Sequence, residues 1–313
     1  MRNKYISILS VFLLLILFTG CEQDKGETDC YITFTDDTGL LITLPETPQN
    51  TAVLFSSFAD IWTLAGGEIG ITVGETVERG FACPDTVLVD AGAGKTVNTE
   101  ILIAARPDFV ICSADIAGQA EVASLLNASG IPTAQFHVES FADYLRVLKI
   151  FTEITGNAEA YAQFGEAVQE KIEALLASCP PDGAAPKKIL FIRAGSSARS
   201  TKAKTAAEHF AAAMLAELGA VNIADTAPVL IDGLSIEEIL VQNPDMLFIT
   251  TMGDPAAAQA YMDSVLSEEI WQSLDAVKNG RYYYLSKDLF QYKPNAGWYQ
   301  AYEQLAEMLY END

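Results

Sequence analysis

Basic residues are scarce in this chain. Its 313 residues include 19 Lys and Arg against 42 Asp and Glu, so the formal net charge is −23. A surface of this sign repels nucleic-acid phosphates, which excludes DNA or RNA binding as the main function. The same scarcity makes any local group of cations a feature that needs an explanation.

Histidine and cysteine are also few. A protein that captures zinc in a cleft needs several histidines, and this chain has two. The five cysteines are Cys21, Cys30, Cys83, Cys112 and Cys179. Their spacing matches no zinc site, and the last four allow three disulfide pairings that the sequence does not distinguish. The apolar run 109–112 predicts that Cys112 is a buried thiol.

Long apolar runs are absent after the first twenty residues, so no later segment is predicted to cross a bilayer. Residues 1–20 have a basic start and an apolar middle, which is typical of a targeting segment. Residues 18–21, Phe-Thr-Gly-Cys, resemble a bacterial lipobox, which implies cleavage before Cys21 and a diacylglycerol on its sulfur. The alternative is an ordinary secretory signal in which Cys21 occurs by chance.

A helix is predicted over residues 157–178. Its apolar residues recur at steps of three and four, Asn157 can cap its start, and the run Pro-Pro-Asp-Gly at 180–183 ends it. At 1.5 Å per residue it is about 33 Å long. This length suits a stiff connection between two halves of the chain.

The two halves are similar in layout. Strands alternate with helices throughout, which predicts mostly parallel sheets covered on both faces. Residues 98–111 and 235–249 each have a polar cap, a Glu two residues later, a short helix, a Pro-Asp pair and an apolar strand. The two units lie about 137 residues apart, one on each side of the predicted helix. This arrangement indicates an internal duplication.

In their order and spacing these features resemble the substrate-binding lipoproteins of ABC importers for iron–siderophores, haem and cobalamin. The resemblance also rests on Ala-Gly-Gly at 65–67, Ser-Gly-Ile-Pro at 129–132 and the run 276–282. It implies two doubly wound α/β lobes joined by one long rigid helix, with the ligand cleft between the lobes and small opening motions. The implied division is a signal peptide at 1–20, a lipidated tether at 21–29, an N-terminal lobe at 30–156, the helix at 157–179 and a C-terminal lobe at 180–313.

The resemblance also implies a role for the Glu in each repeated unit. Glu100 and Glu237 match the positions whose carboxylates, in relatives, pair with arginines of the membrane permease. The alternative is a Glu at a helix start favoured by the helix dipole, and Glu238 is a neighbour that complicates the assignment. The implied partners are ABC permease and ATPase subunits.

The cleft is expected at the carboxyl ends of the parallel strands. Twelve candidate ligand-binding residues lie there: Ser56, Ser57, Arg79, Lys95, Ser113, Arg193, Arg199, Lys202, Lys204, Met252, Tyr292 and Lys293. Four of them are cations within residues 193–204, which contain no acid, and this favours an anionic ligand over the alternative of a solvated basic loop.

The sequence therefore predicts a lipid-anchored, extracytoplasmic binding protein for a ferric siderophore, acting as a monomer and catalysing no reaction. Haem or cobalamin is the alternative within the family. Haem would need an axial ligand such as His137, His209, Tyr292 or Met252, although each histidine is more often a satisfied polar residue. From another class, an α/β hydrolase remains, but no nucleophile with a histidine and an acid partner is evident. Trp298 is expected in the core.

Overall fold

The computed structural model describes residues 32–90, 96–181 and 183–310. Within these ranges the chain forms two mainly parallel sheets and a separate hairpin. The strands are β1 (Ile32–Thr35), β2 (Leu41–Leu44), β3 (Thr51–Val53), β4 (Ile71–Thr72), β5 (Val87–Leu88), β6 (Phe109–Ser113), β7 (Thr133–Phe136), β8 (Lys188–Ala194), β9 (Lys202–Ala203), β10 (Val221–Asn222), β11 (Met246–Thr251) and β12 (Tyr282–Tyr284).

Helices cover both faces of each sheet. They are α1 (Ser56–Leu64), α2 (Gly74–Glu78), α3 (Thr99–Ala104), α4 (Ala117–Ala128), α5 (Phe141–Thr155), α6 (Ala158–Tyr161), α7 (Ala167–Ala177), α8 (Phe210–Glu217), α9 (Val229–Asp232), α10 (Ile236–Gln242), α11 (Pro255–Leu266), α12 (Asp275–Lys278), α13 (Lys287–Phe290) and α14 (Trp298–Tyr310). None of the helices in the described ranges has the length and apolar character needed to span a membrane.

The strand order defines two lobes. The N-terminal lobe contains the parallel sheet β5-β4-β3-β6-β7. The C-terminal lobe contains the parallel strands β10-β8-β11-β12, with β9 antiparallel to β8. The predicted α/β fold of two doubly wound lobes joined by a helix is confirmed. The residue boundaries of its segments stay a prediction.

The two repeated units have the same backbone geometry. Each helix, α3 or α10, ends at a residue with a left-handed conformation directly before the proline, Arg106 (φ 54°) and Asn243 (φ 43°). The Asp that follows the proline then binds the start of the neighbouring strand. Asp108 accepts the Asn50 amide at 3.0 Å, and Asp245 accepts the Lys188 amide at 2.8 Å.

The predicted connecting helix runs from α6 through a π-helical turn, Ala162–Glu166, into α7. Asn157 caps its start, because its Oδ1 accepts the Ala160 amide at 3.2 Å. The wider turn leaves the Phe164 carbonyl available to Tyr144 of α5, whose hydroxyl donates to it at 2.9 Å. The connecting helix is thus fastened sideways to the N-terminal lobe.

One buried cluster of apolar side chains includes residues of both lobes. Trp298, at the start of α14, is 1% exposed. Its ring centroid lies 6.2 Å from that of Phe141 in the N-terminal lobe and 5.6 Å from that of Phe210 in the C-terminal lobe. The expected core position of Trp298 is confirmed, and its indole joins the two lobes through continuous packing.

Some predicted element bounds are wrong. The sequence predicts a helix over residues 206–218, ended by Gly219, but α8 begins only at Phe210. Glu208 accepts hydrogen bonds from the amide and hydroxyl of Thr205 and holds the preceding segment as a turn. The stretch 193–204, for which the sequence predicts no strand after β8, contains the antiparallel strand β9.

We expect Trp298→Ala to lower the free energy of unfolding by about 3–5 kcal/mol, because it removes a buried indole that fills the space between the lobes. Chemical denaturation checks this. Val241→Ala, at a residue that is 79% exposed, is the control, with an expected change within about 0.5 kcal/mol. A loss below about 1 kcal/mol for Trp298→Ala would contradict the role given to the indole.

Candidate functional site

The cleft begins where β3 runs directly into α1. Ser56 and Ser57 are buried there, and both hydroxyls hold Arg79. The guanidinium donates to Ser56 Oγ at 3.0 Å and to Ser57 Oγ at 3.4 Å, and Ser56 Oγ donates to Glu75 at 2.6 Å. The two serines therefore position a cation, although they were predicted as ligand contacts in their own right.

Arg79 lies against aromatic rings from both lobes. Its guanidinium carbon is 4.8 Å from the centroid of Phe81 and 4.0 Å from that of Tyr292, a residue of the C-terminal lobe. On the Tyr292 ring there is a second cation, Lys287 Nζ, at 4.7 Å. Burial lowers the pKa of Arg79, and the nearby acids, Asp60 first, oppose that shift. The stack places a cation and a phenol ring of opposite lobes in direct contact.

These residues line a cavity of about 550 Å³ between the lobes. Its lining is Asp60, Glu78, Arg79, Phe81, Lys287, Asp288, Leu289, Tyr292, Lys293 and Pro294. The first four belong to the N-terminal lobe and the other six to the C-terminal lobe. A cavity of this size, with aromatic and charged side chains from both sides, is suited to a small-molecule ligand.

A buried amide closes the inner end of the cleft. Asn295 of the C-terminal lobe donates through Nδ2 to the Ser57 carbonyl at 3.0 Å and to Asp60 Oδ2 at 2.7 Å. Burial raises the pKa of Asp60, while the Asn295 hydrogen bond and the Arg79 charge lower it. This contact fixes the relative position of α1 and the residues just before α14.

The predicted basic cluster is largely brought together. Arg193 and Lys202 are opposite each other in the β8–β9 pair, and Lys204 follows two residues later on the same face. The pKa of His209 falls to about 3 because of its burial, then because of the charges of Lys293, Arg193 and Lys204. The Lys293 ammonium lies 4.6 Å from the centroid of the Phe210 ring on which His209 stacks, and Arg193 lies near the carboxyl end of β8.

The members of the cluster differ in how they are held. Lys204 Nζ lies 3.1 Å from Glu208, and Lys202 is partly buried. The Nε of Arg193 is buried and has no hydrogen-bond partner among the described residues. Arg199 is exposed in the turn Ala198–Ser200, further from the rest.

The Lys293 side chain reaches from the C-terminal lobe across the cleft to the N-terminal lobe. Its Nζ is 2.7 Å from Glu139 of the N-terminal lobe and 4.6 Å from the Phe210 ring centroid. Burial lowers the pKa of Lys293, and Glu139 first, then Asp115 and Asp143, raise it. The lysine predicted as an anion contact thus already has a carboxylate beside it.

The other predicted site residues are less engaged with the cleft. Ser113 is the buried last residue of β6. Its Oγ accepts a hydrogen bond from the Asp115 amide at 3.2 Å and so stabilises the turn that follows the strand. Met252 is 40% exposed directly after β11. Lys95 and Cys21 lie outside the described residues.

Both histidines have structural partners. His209 caps α8, because its Nδ1 accepts the Ala211 amide at 3.2 Å, and its ring stacks on Phe210. His137 Nδ1 is 2.6 Å from Asp115, an acid partner that the sequence did not reveal. In the described part of the chain no serine hydroxyl is hydrogen-bonded to His137, so the pair does not form the triad of a hydrolase.

Glu100 and Glu237 occupy matching positions in the first turns of α3 and α10, and both are exposed. Asn98 caps α3, whereas the Ser235 hydroxyl donates to Glu237 itself at 3.2 Å. Glu238 is half-buried and accepts from Gln242 at 2.8 Å. Of the two adjacent acids, Glu237 is therefore the one that matches Glu100 in exposure.

Several residues of the cleft were missed by the sequence reasoning, namely Asp60, Glu139, Lys287 and Asn295. Glu139 carries a signal that would have found it, because it follows a strand end. The other three come together only when the two lobes pack, and no local pattern marks them.

This chain belongs to the periplasmic binding protein family, whose model matches residues 52–289, well over half of its length. Solved structures with the same fold include SirA of Staphylococcus aureus complexed with staphyloferrin B, with a TM-score of 0.65 and 20% identity, covering 90% of this chain and 97% of SirA. Another is the periplasmic haem-binding protein RhuT of Roseiflexus sp. RS-1, with a TM-score of 0.67 and 17% identity, covering 84% of this chain and 98% of RhuT.

A third similar structure is the siderophore-binding protein BauB, bound to a complex between two molecules of acinetobactin and ferric iron. It has a TM-score of 0.68 and 16% identity, and covers 88% of this chain and 98% of BauB. No curated protein sequence matches this chain. At these identities the three structures establish the fold that they share with it.

We expect the neutral His209 to make stability depend on pH. Its pKa is about 3 when folded and near 6.5 when unfolded, so its contribution is complete above pH 6.5 and declines as the pH falls towards 3. From pH 7 to 5 the wild type should lose about 2 kcal/mol more unfolding free energy than His209→Asn, a variant that keeps a helix-capping side chain.

Denaturation of both proteins at pH 5, 6 and 7 checks this. Any contribution of His137 to the pH dependence cancels in the comparison, because both proteins contain it. A difference between them that stays constant with pH would show that His209 is not held neutral.

Proposed function

We propose that this chain is a lipid-anchored, extracytoplasmic substrate-binding protein of an ABC importer, and that its cargo is an anionic iron complex, most simply a ferric siderophore. The observation that carries the proposal is the cavity between the lobes, to which each lobe contributes cations and aromatic rings. Membership of the periplasmic binding protein family supports the general role. The N-terminal segment and Cys21 support export and lipid attachment.

The charge of the cargo is argued from the distribution of cations. In a chain with 19 Lys and Arg against 42 Asp and Glu, the cavity lining holds three cations, Arg79, Lys287 and Lys293, beside three acids, so cations are enriched there relative to the chain as a whole. The unpaired Nε of Arg193 and the ring-stacked guanidinium of Arg79 offer donors to carboxylate or catecholate oxygens. Ferric siderophores carry such oxygens on a compact chelate, and some carry aromatic rings that could stack on Tyr292.

Binding on this proposal needs only a modest closure. The lobes already share the packing around Trp298 and the Asn295–Asp60 hydrogen bond, so the connecting helix and the core resist a wide hinge motion. The protein catalyses no reaction in this scheme. Capture and release of the cargo, and transfer to the permease, are its whole activity.

We expect Arg193→Met to weaken the binding of an anionic ferric chelate by tenfold or more, because the variant removes a partly buried cation from the cleft. Titration calorimetry with ferric citrate, ferric dihydroxybenzoate, haemin and cobalamin checks both this and the class of cargo. Lys149→Met, which removes an exposed cation on α5, is the control and should leave affinity unchanged. Binding of cobalamin alone, or equal effects of both variants, would contradict the proposal.

Delivery is proposed to use Glu100 and Glu237, one carboxylate from each lobe, against basic residues of a two-fold permease. We expect the double charge reversal Glu100→Arg plus Glu237→Arg to abolish iron uptake in cells and to leave the affinity of the purified protein for its chelate unchanged. The control is Glu153→Arg plus Glu166→Arg, at two exposed acids away from these helix starts. Unchanged uptake in the first pair would refute the docking role.

A further inference from the structure

The ion pair between Lys293 and Glu139 joins the two lobes inside the cleft. Lys293 comes from the C-terminal lobe and Glu139 from the loop between β7 and α5 of the N-terminal lobe, with 2.7 Å between Nζ and Oε2. The two side chains differ in exposure, since Lys293 is 16% exposed and Glu139 is 49% exposed. The cation is enclosed, whereas the carboxylate reaches it from the solvent side.

The surroundings of the lysine favour a negative group at this point. Lys293 lines the cavity, and its Nζ lies 4.6 Å from the centroid of the Phe210 ring on which His209 stacks; the charges of Arg193 and Lys204 act on the same imidazole. An enclosed ammonium without a counter-ion is costly, and neighbouring cations raise that cost. Some carboxylate or equivalent anion is therefore needed beside Lys293 whether or not a ligand is present.

The Glu139 carboxylate can separate from Lys293 at a low cost in free energy. Its side chain is half exposed, and an ion pair that is open to solvent on one side contributes on the order of 1 kcal/mol or less. No other hydrogen bond to its carboxylate is present among the described residues. A carboxylate delivered by a ligand could replace it without leaving Lys293 unpaired.

We propose that Glu139 is an internal counter-ion that occupies the place of a ligand carboxylate while the cleft is empty, and that binding exchanges one carboxylate for the other. This inference rests on the proposed function and narrows the cargo to a chelate that carries a carboxylate available to Lys293. Glu139 then acts as a built-in competitor that sets affinity and favours ligands able to displace it. The apparent dissociation constant equals the intrinsic constant divided by the fraction of molecules in which Glu139 has left the lysine.

The test measures affinity after the competitor is removed. We expect Glu139→Gln to bind ferric citrate about 2- to 5-fold more tightly than the wild type, the gain that removal of so weak a competing ion pair allows. Glu173→Gln, at an exposed acid on α7, is the matched control for net charge and should not change affinity. A purely structural ion pair predicts the opposite for Glu139→Gln, namely a lower melting temperature with equal or weaker binding.

A double variant tests whether the gain in affinity depends on Lys293. In the Lys293→Met background, Glu139→Gln should bring no gain in affinity, because the site for which it competes is absent. Circular dichroism establishes that each variant is folded. Equal or weaker binding by Glu139→Gln, or a gain that persists without Lys293, would overturn the inference while leaving the proposed function intact.

Metal-free citrate separates this inference from the proposed function. If no iron chelate binds the wild type, the proposed function fails, and the carboxylate exchange is then decided by citrate alone. Binding of citrate to Glu139→Gln, and not to the Lys293→Met double variant, would support the exchange. Failure of both probes to bind Glu139→Gln would overturn it.

Discussion

Aromatic packing around Trp298 is the constraint on which the rest of the structure depends. The indole contacts Phe141 of one lobe and Phe210 of the other, within a buried cluster that does not stop at the lobe boundary. Close-packed interiors deform little, so the two sheets are held at a nearly constant separation. The facing loops therefore keep their mutual distances, which allows direct contacts such as Arg79–Tyr292 to form across the cleft.

Polar contacts across the cleft fall into two kinds. The Asn295–Asp60 bond is buried next to the core and belongs to the fixed part of the joint. The Lys293–Glu139 pair is open to solvent at its carboxylate and belongs to the adjustable part. The contact that stabilises the arrangement of the lobes thus lies at the inner end of the cleft, and the contact that can rearrange lies at its mouth.

The elements with strong local signals were predictable. The alternation of strands and helices, the capped connecting helix and the repeated Pro-Asp units all rest on short-range patterns, and each was found. The helix α5 carries strong local signals at both ends, since Ser140 and Asp143 form a capping box and Gly156 ends it. The strand β9 was missed because two residues carry no periodicity, and its position depends on pairing with β8.

The cleft was predictable only in outline. The strand ends predicted which loops lie at the cleft. The contacts of each side chain, however, depend on the residues that the other lobe places beside it. Ser56 and Ser57 support Arg79 where a ligand contact was expected, and Lys293 is paired with Glu139, which sequence reasoning did not select. The Lys293–Glu139 pair joins residues of different lobes, while the Ser56 and Ser57 bonds to Arg79 join residues 23 and 22 positions apart, and no spacing rule encodes either kind of contact.

The left-handed joints at Arg106 and Asn243 lie at the amino ends of β6 and β11, on the edge of each sheet away from the cleft. The cavity between the lobes lies beyond the carboxyl ends of the strands, while these joints fix the strands at their amino ends. The same separation marks the joints as crossover points for building chimaeras, in which recognition loops are exchanged between related proteins and the sheet is left as it is.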